Sequence, residues 1–124
     1  MTYDPKKVPQ RMIEALQDYA KNGTPKGDFL TAVLHNNLIL ACAYADRTNY
    51  EVMAHVVGWC HNELPPTSWK TQEAVGNWLE AHTRCRKKYG FGKYDITNVL
   101  IALEQMEIEE QEDKKKDEEN EGLG

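Results

Sequence analysis

From Val8 to Ile108 the apolar residues return every three or four positions, and nowhere do they alternate for long enough to build a strand. That period confines the chain to an all-α architecture, because each amphipathic stretch must bury its stripe against another helix. Five stretches carry it. In the first, about residues 9–22, Val8, Met12, Ile13, Leu16, Tyr19 and Ala20 share one face, with Pro9 suited to the first turn and Gly23 to the left-handed residue after the last. Thr24-Pro25-Lys26-Gly27 reads as a turn, and Asp28 as the cap of the next stretch.

That second stretch keeps its period from Leu30 to Ala45 and is apolar nearly all round, so it reads as the central, most buried element. Asn36-Asn37 interrupts it, since asparagine competes for backbone hydrogen bonds, and two short helices meeting there are expected. The third stretch starts at Thr48 or Asn49, with the stripe Tyr50, Met53, Ala54, Val57, Cys60, His61 and Leu64, and Pro65-Pro66 ends it. The fourth starts near Thr71, carries Val75, Trp78, Leu79 and His82, and stops at Gly90 and Gly92. The fifth follows Asp95 as cap and carries Ile96, Val99, Leu100, Leu103 and Met106. The predicted fold is a compact bundle of about five helices over residues 1–108. An acidic low-complexity tail over 109–124 follows, either a solvated helix extension or disordered.

Charge divides in the same way. Of the net −5, residues 104–121 hold ten acids and three lysines, leaving ten acids and twelve Lys and Arg elsewhere. The body is therefore mildly basic, and the tail supplies the acidity. Its most basic part is "RCRKKYGFGKY", residues 84–94. Here Arg84, Arg86, Lys87, Lys88 and Lys93 surround Tyr89, Phe91 and Tyr94. Cations neutralise phosphates and aromatic faces stack on bases, so one reading is a site for a nucleotide or nucleic acid. The plainer reading, which we favour, is a helix C-terminus with cations on its dipole and rings packed on the core. In a third reading the acidic tail folds back and screens the basic segment.

The stretch "NGTPKGDFLTAVLHNNLILACAYAD", with "HNELPPTSW" and "VGNWLEAH", resembles a family of small proteins encoded by tailed bacteriophages, over about residues 8–83. The chain departs from that pattern at Asn36-Asn37-Leu38, where the family form has an acid before the leucine, and at Trp69-Lys70-Thr71-Gln72, where a Trp-Gly-Ser-Pro-type helix start is the family form. The resemblance implies no activity. It implies an accessory protein in the bacterial host cytoplasm that binds a host or anti-phage defence protein.

Other chemistry is weakly represented. Cys60-His61 and His82 with Cys85 are zinc-type ligands, but adjacent helical residues point about 100° apart, so buried cysteines and structural histidines are expected instead of a metal site. Cys42, Cys60 and Cys85 make an odd number without a CxxC, which argues against a disulfide framework. No nucleophile elbow, zinc-protease helix, P-loop or dinucleotide fingerprint occurs, so neither an enzyme nor a cofactor is expected. The N-terminus is polar, carries Pro5 and Pro9, and does not read as a secretory signal. Among the tryptophans, Trp78 sits on a stripe and reads as core. Trp69 is either a core plug or an exposed anchor, and Trp59 lies off its stripe and reads as an interface residue. The expected function is non-enzymatic binding of a host or defence protein. The alternative is a phosphate-bearing ligand or nucleic acid held by residues 84–94. A homo-oligomer is compatible with either.

Overall fold

A computed structural model describes residues 3–122, with side chains described through residue 117. Among these residues there are six α-helices: α1 (Gln10–Asn22), α2 (Asp28–Leu34), α3 (Leu38–Tyr44), α4 (Arg47–Glu63), α5 (Gln72–Tyr89) and α6 (Ile96–Gly122). Short 3-10 turns span Pro5–Lys7 and Pro66–Ser68. The class is all-α, as the periodicity requires. The count is six and not five, because the second apolar stretch is two helices. The chain divides into two compact units, Met1–Glu80 and Ala81–Gly124.

In the first unit, local chemistry sets the helix ends. Gly23 closes α1 at φ 63°, its N–H donating to the Tyr19 carbonyl at 3.0 Å. The two asparagines divide the work between α2 and α3. Asn36 takes φ 58° and donates to the Val33 carbonyl at 3.0 Å, while Asn37 N–H donates to the Ala32 carbonyl at 2.9 Å. This Schellman-type closure ends α2. The Asn37 side chain then accepts from Leu40 N–H at 3.0 Å and caps α3. Asp46 caps α4 in the same way, accepting from Asn49 N–H at 2.7 Å. Thr71 Oγ1 caps α5, accepting from Ala74 N–H at 2.9 Å.

The core of this unit is built from Met12, Leu16 and Tyr19 of α1, Phe29, Val33 and Leu34 of α2, Val56, Trp59 and Cys60 of α4, and Val75 and Trp78 of α5, all buried. Two hydrogen bonds lock aromatic residues into it. Tyr19 Oη donates to the Ser68 carbonyl at 2.6 Å, and Trp78 Nε1 donates to the Tyr19 carbonyl at 3.3 Å. The N-terminal segment docks on α4 where Asp4 N–H donates to His55 Nδ1 at 3.0 Å.

Two sequence expectations fail here. The stripe assigned to α4 packs only in part: Cys60 and Leu64 are buried, Tyr50, Ala54 and His61 are exposed, and Val56 and Trp59, off the stripe, are buried as well. Apolar residues occupy several sides of this helix, so period alone does not choose among them. The second correction is α3. It was expected at the centre of the core, yet only Ala41 is buried. The turn at Asn36 redirects the chain, so α2 goes inward and α3 stays outside.

In the second unit, α5 and α6 are joined by a turn with Gly90 at φ 96° and Gly92 at φ 73°. Asp95 and Asn98 cap α6 reciprocally: Asn98 N–H donates to Asp95 Oδ1 at 3.2 Å and Asp95 N–H to Asn98 Oδ1 at 3.0 Å. Ala81, His82, Cys85 and Val99 are buried. The helix continues into the acidic segment, to Gly122. Residues 109–117 pack little, and their helix is supported by pairs one turn apart such as Glu110 and Lys114 at 3.5 Å. Leu123 and Gly124 lie outside the described residues. Among those described, no helix is long and apolar enough to cross a membrane.

Candidate interaction surface

α3 reads Leu-Ile-Leu-Ala-Cys-Ala-Tyr. No Asp, Glu, Lys, Arg or His occurs from Leu38 to Ala45. Its sole buried side chain, Ala41, is 3 % exposed and fixes which side of the helix faces inward. Positions two residues away lie about 200° around the axis, so Ile39 and Ala43 point directly outward. Ile39 at 81 % and the exposed Ala43 agree, and Leu38 at 70 %, Leu40 at 42 %, Tyr44 at 51 % and Cys42 are exposed too, so water reaches most of the circumference of α3. Tyr50, in the first turn of α4, is exposed as well. From these fractions α3 alone leaves on the order of 500 Å² of mostly apolar surface in water, at the upper end of what a single soluble chain normally shows. At about 25 cal/mol per Å² that is roughly 10 kcal/mol of transfer free energy left unrealised, before the ordering costs of binding.

The basic-aromatic segment, within the second unit, is split by the helix. Arg84, Lys88 and Tyr89 line a groove of about 290 Å³ whose other walls include Asn98, Ile101 and Gln105. Arg86 turns back along its own helix, Nη2 donating to Thr83 Oγ1 at 3.1 Å. Tyr94 Oη lies 2.9 Å from His82 Nδ1, with the two rings tilted by 56°. Lys87 and Lys93 are exposed and line no part of the groove. Arg84 meets Glu109 at 3.0 Å, so one cation of the segment is already countered by an acid from the start of the tail. The Lys88 ammonium sits 5.2 Å from the Tyr89 ring, a cation–π contact.

The tryptophans do not form a binding surface. Trp59 is 7 % exposed, which corrects its assignment as an interface residue: it lies on the face of α4 that packs. Trp69, also 7 % exposed, is the core plug and not the exposed anchor. Pro65 and Pro66 end α4, and the segment folds inward, with Lys70 N–H donating to the Leu34 carbonyl at 2.8 Å. That placement forces Lys70 to φ 92°. Trp78 is fully buried, as its stripe position requires.

Three groups capable of chemistry, His82, Cys60 and Cys85, are buried. His82 is fully buried and engaged by Tyr94. Burial pushes the Cys60 thiol up to about 12 and raises the Cys85 thiol, the latter against the opposing pull of Lys88 and Arg86. Cys60 is buried while His61 is exposed, so the adjacent pair points to different sides. Among the described residues no three His, Cys, Asp or Glu side chains gather as a metal site would need.

The surface that stands out, α3, is the one that sequence reasoning placed in the core. A signal was present: a helix apolar on every side has more apolar surface than one-sided packing in a small chain can cover. Comparison with known proteins finds no matching family model, no matching curated protein and no matching solved structure.

Proposed function

We propose that this chain is a non-enzymatic protein-interaction module that presents α3 to an apolar surface of another protein. The observation carrying this reading is the row Leu38, Ile39, Leu40 and Tyr44, uncharged and open to water on a helix anchored by Ala41. Such a row is costly to keep in water and is the usual mark of a contact surface. The burial of His82, Cys60 and Cys85 away from solvent supports binding over catalysis. The phage-type resemblance adds a host or anti-phage defence protein as a partner class. The test is a photo-crosslinking residue placed at position 39 of the full chain, with position 87 as control. Protein adducts specific to position 39 are expected. Equal labelling at both positions would retire the reading.

A second reading has one observation in its favour, the groove holding Arg84, Lys88 and Tyr89. It would take a ligand with a phosphate and a flat body, such as a signalling nucleotide, or a nucleic acid strand. Titration with ATP as probe, repeated on Lys88→Ala, tests it: saturable binding weakened by the substitution supports the groove, and no saturable binding removes it.

A further inference from the structure

We infer that the groove of about 290 Å³ between α5 and α6, within the second unit, takes a small organic anion built as one acidic group on a flat apolar body, and that Glu109 limits the site to a single negative charge. This rests on the second reading above, that the groove is a ligand site, and sets the size and charge of what it accepts.

Three features of the groove fix the chemistry of its ligand. The first is the arrangement of the lining. Arg84 and Lys88 stand one turn apart on α5, and Asn98, Ala102 and Gln105 follow at helical spacing on α6. The lining contains two cations and no carboxylate, so it favours a negative group. Between Asn98 and Gln105, the side chains of Ile101, 58 % exposed, and Ala102 offer apolar surface, and the Tyr89 ring, 41 % exposed, supplies a flat face. The second feature is charge. Glu109 lies one turn beyond Gln105 and meets Arg84 at 3.0 Å, which offsets one of the two cations. Lys88 is exposed, its ammonium lies 5.2 Å from the Tyr89 ring, and no acid among the described residues pairs with it. One uncompensated positive charge therefore stands beside an aromatic face, which suits a single carboxylate on a planar body. The third is size. The volume falls just below the roughly 300 Å³ at which ligand pockets usually begin, so the occupant is a small molecule such as a bicyclic acid.

The test is calorimetric titration of the full chain with three probes that share one ring system: naphthoate with one negative charge, naphthamide with none, and naphthyl phosphate with nearly two at about pH 8. Naphthoate should bind saturably and about fivefold more tightly than naphthamide, the size of one exposed charge pair. Naphthyl phosphate should gain no more than about a further twofold, because Arg84 is already countered. Lys88→Ala should erase the preference for the acid over the amide, and Ile101→Asp should weaken all three probes by about tenfold or more. Both side chains are exposed, so circular dichroism should show the fold unchanged. Glu109→Gln separates charge from shape: it should raise the affinity for the phosphate ester by about fivefold and leave the amide where it was. Naphthoate binding that is absent, or indifferent to Lys88→Ala and Ile101→Asp, overturns the inference. So does a phosphate ester that wild type strongly prefers, or one unmoved by Glu109→Gln. If ATP binds in those cases and Lys88→Ala weakens it, the groove remains a ligand site for a different ligand. If neither ATP nor naphthoate binds, both readings fall.

Discussion

Replacing Tyr19 by phenylalanine removes one oxygen atom from the middle of the first unit, and its cost can be worked from the geometry. Tyr19 is 1 % exposed and Ser68 fully buried, and the 2.6 Å bond between the phenol and the Ser68 carbonyl joins α1 to the segment that carries Trp69. In Tyr19→Phe the ring stays and packs as before, so no side-chain-sized cavity opens. What changes is that a buried carbonyl loses the strongest donor aimed at it. A buried group left without its partner costs about 1–3 kcal/mol, and the short bond and complete burial put the expected loss near 2 kcal/mol. With a urea dependence of about 1–3 kcal/mol per molar for a chain of this size, the unfolding midpoint should fall by roughly 1 M. The paired control is Tyr50→Phe, at an exposed ring, which should stay within about 0.5 kcal/mol of wild type. The local signature should appear at Lys70, whose N–H is held by the Leu34 carbonyl: its amide exchange should quicken more than that of α1. If Tyr19→Phe unfolds within about 0.5 kcal/mol of wild type and the Lys70 amide is unchanged, then the bond does not hold the segment down and the argument is wrong.

Three further outcomes follow from other contacts. The Lys26 ammonium, 2.7 Å away, and then the Asn22 amide hold the Asp18 carboxyl at about 2, below its ordinary 3.8. A depressed folded value stabilises above pH 3.8 and is lost as pH falls toward about 2. The side chain is 38 % exposed, so solvent screening reduces the contribution to about 1 kcal/mol. Thermal melts of Asp18→Asn against wild type should converge across that window and differ above it. In the folded chain a thiol reagent should modify Cys42 quickly and the two buried thiols slowly, and three equal rates by mass spectrometry would contradict the burial of Cys60 and Cys85. Gly58→Ala would gain up to about 1 kcal/mol of helix propensity, but its methyl group would overlap the side chain of Tyr3. Limited proteolysis should therefore cut faster around residues 3–7 while the global midpoint changes little.

How much of this was legible in advance differs by element. Most ends of the helices were, because caps and breakers act within a few residues; the start of α2 was not, since Asp28 is its first helical residue, Gly27 stands at the cap, and no side chain caps it. Gly23, Asn36-Asn37, Pro65-Pro66, Thr71 and Asp95 each do in space what their chemistry suggests in sequence. α1 was also legible, since its apolar residues occupy one face only. α4 was not, because Val56, Val57, Trp59 and Cys60 leave several faces that could pack, and the sequence alone does not rank them. The basic segment was half legible. Its cations were visible, but a helix distributes consecutive residues around its axis, so Arg84 and Lys88 share a groove while Arg86 turns to Thr83.

The sequence by itself determined the all-α class, the places where the helices stop, and the separation of a mildly basic body from an acidic end, because propensity, capping and charge are local properties. Only the tertiary structure decided which apolar helix is inside. α2 and α3 are neighbours divided by two asparagines, and α3 is the more apolar of the two. A left-handed Asn36 sends Phe29, Val33 and Leu34 into the core and leaves Leu38, Ile39 and Tyr44 in water. Burial depends on what else in the folded chain arrives to cover a face, and that information is spread across residues far apart in sequence.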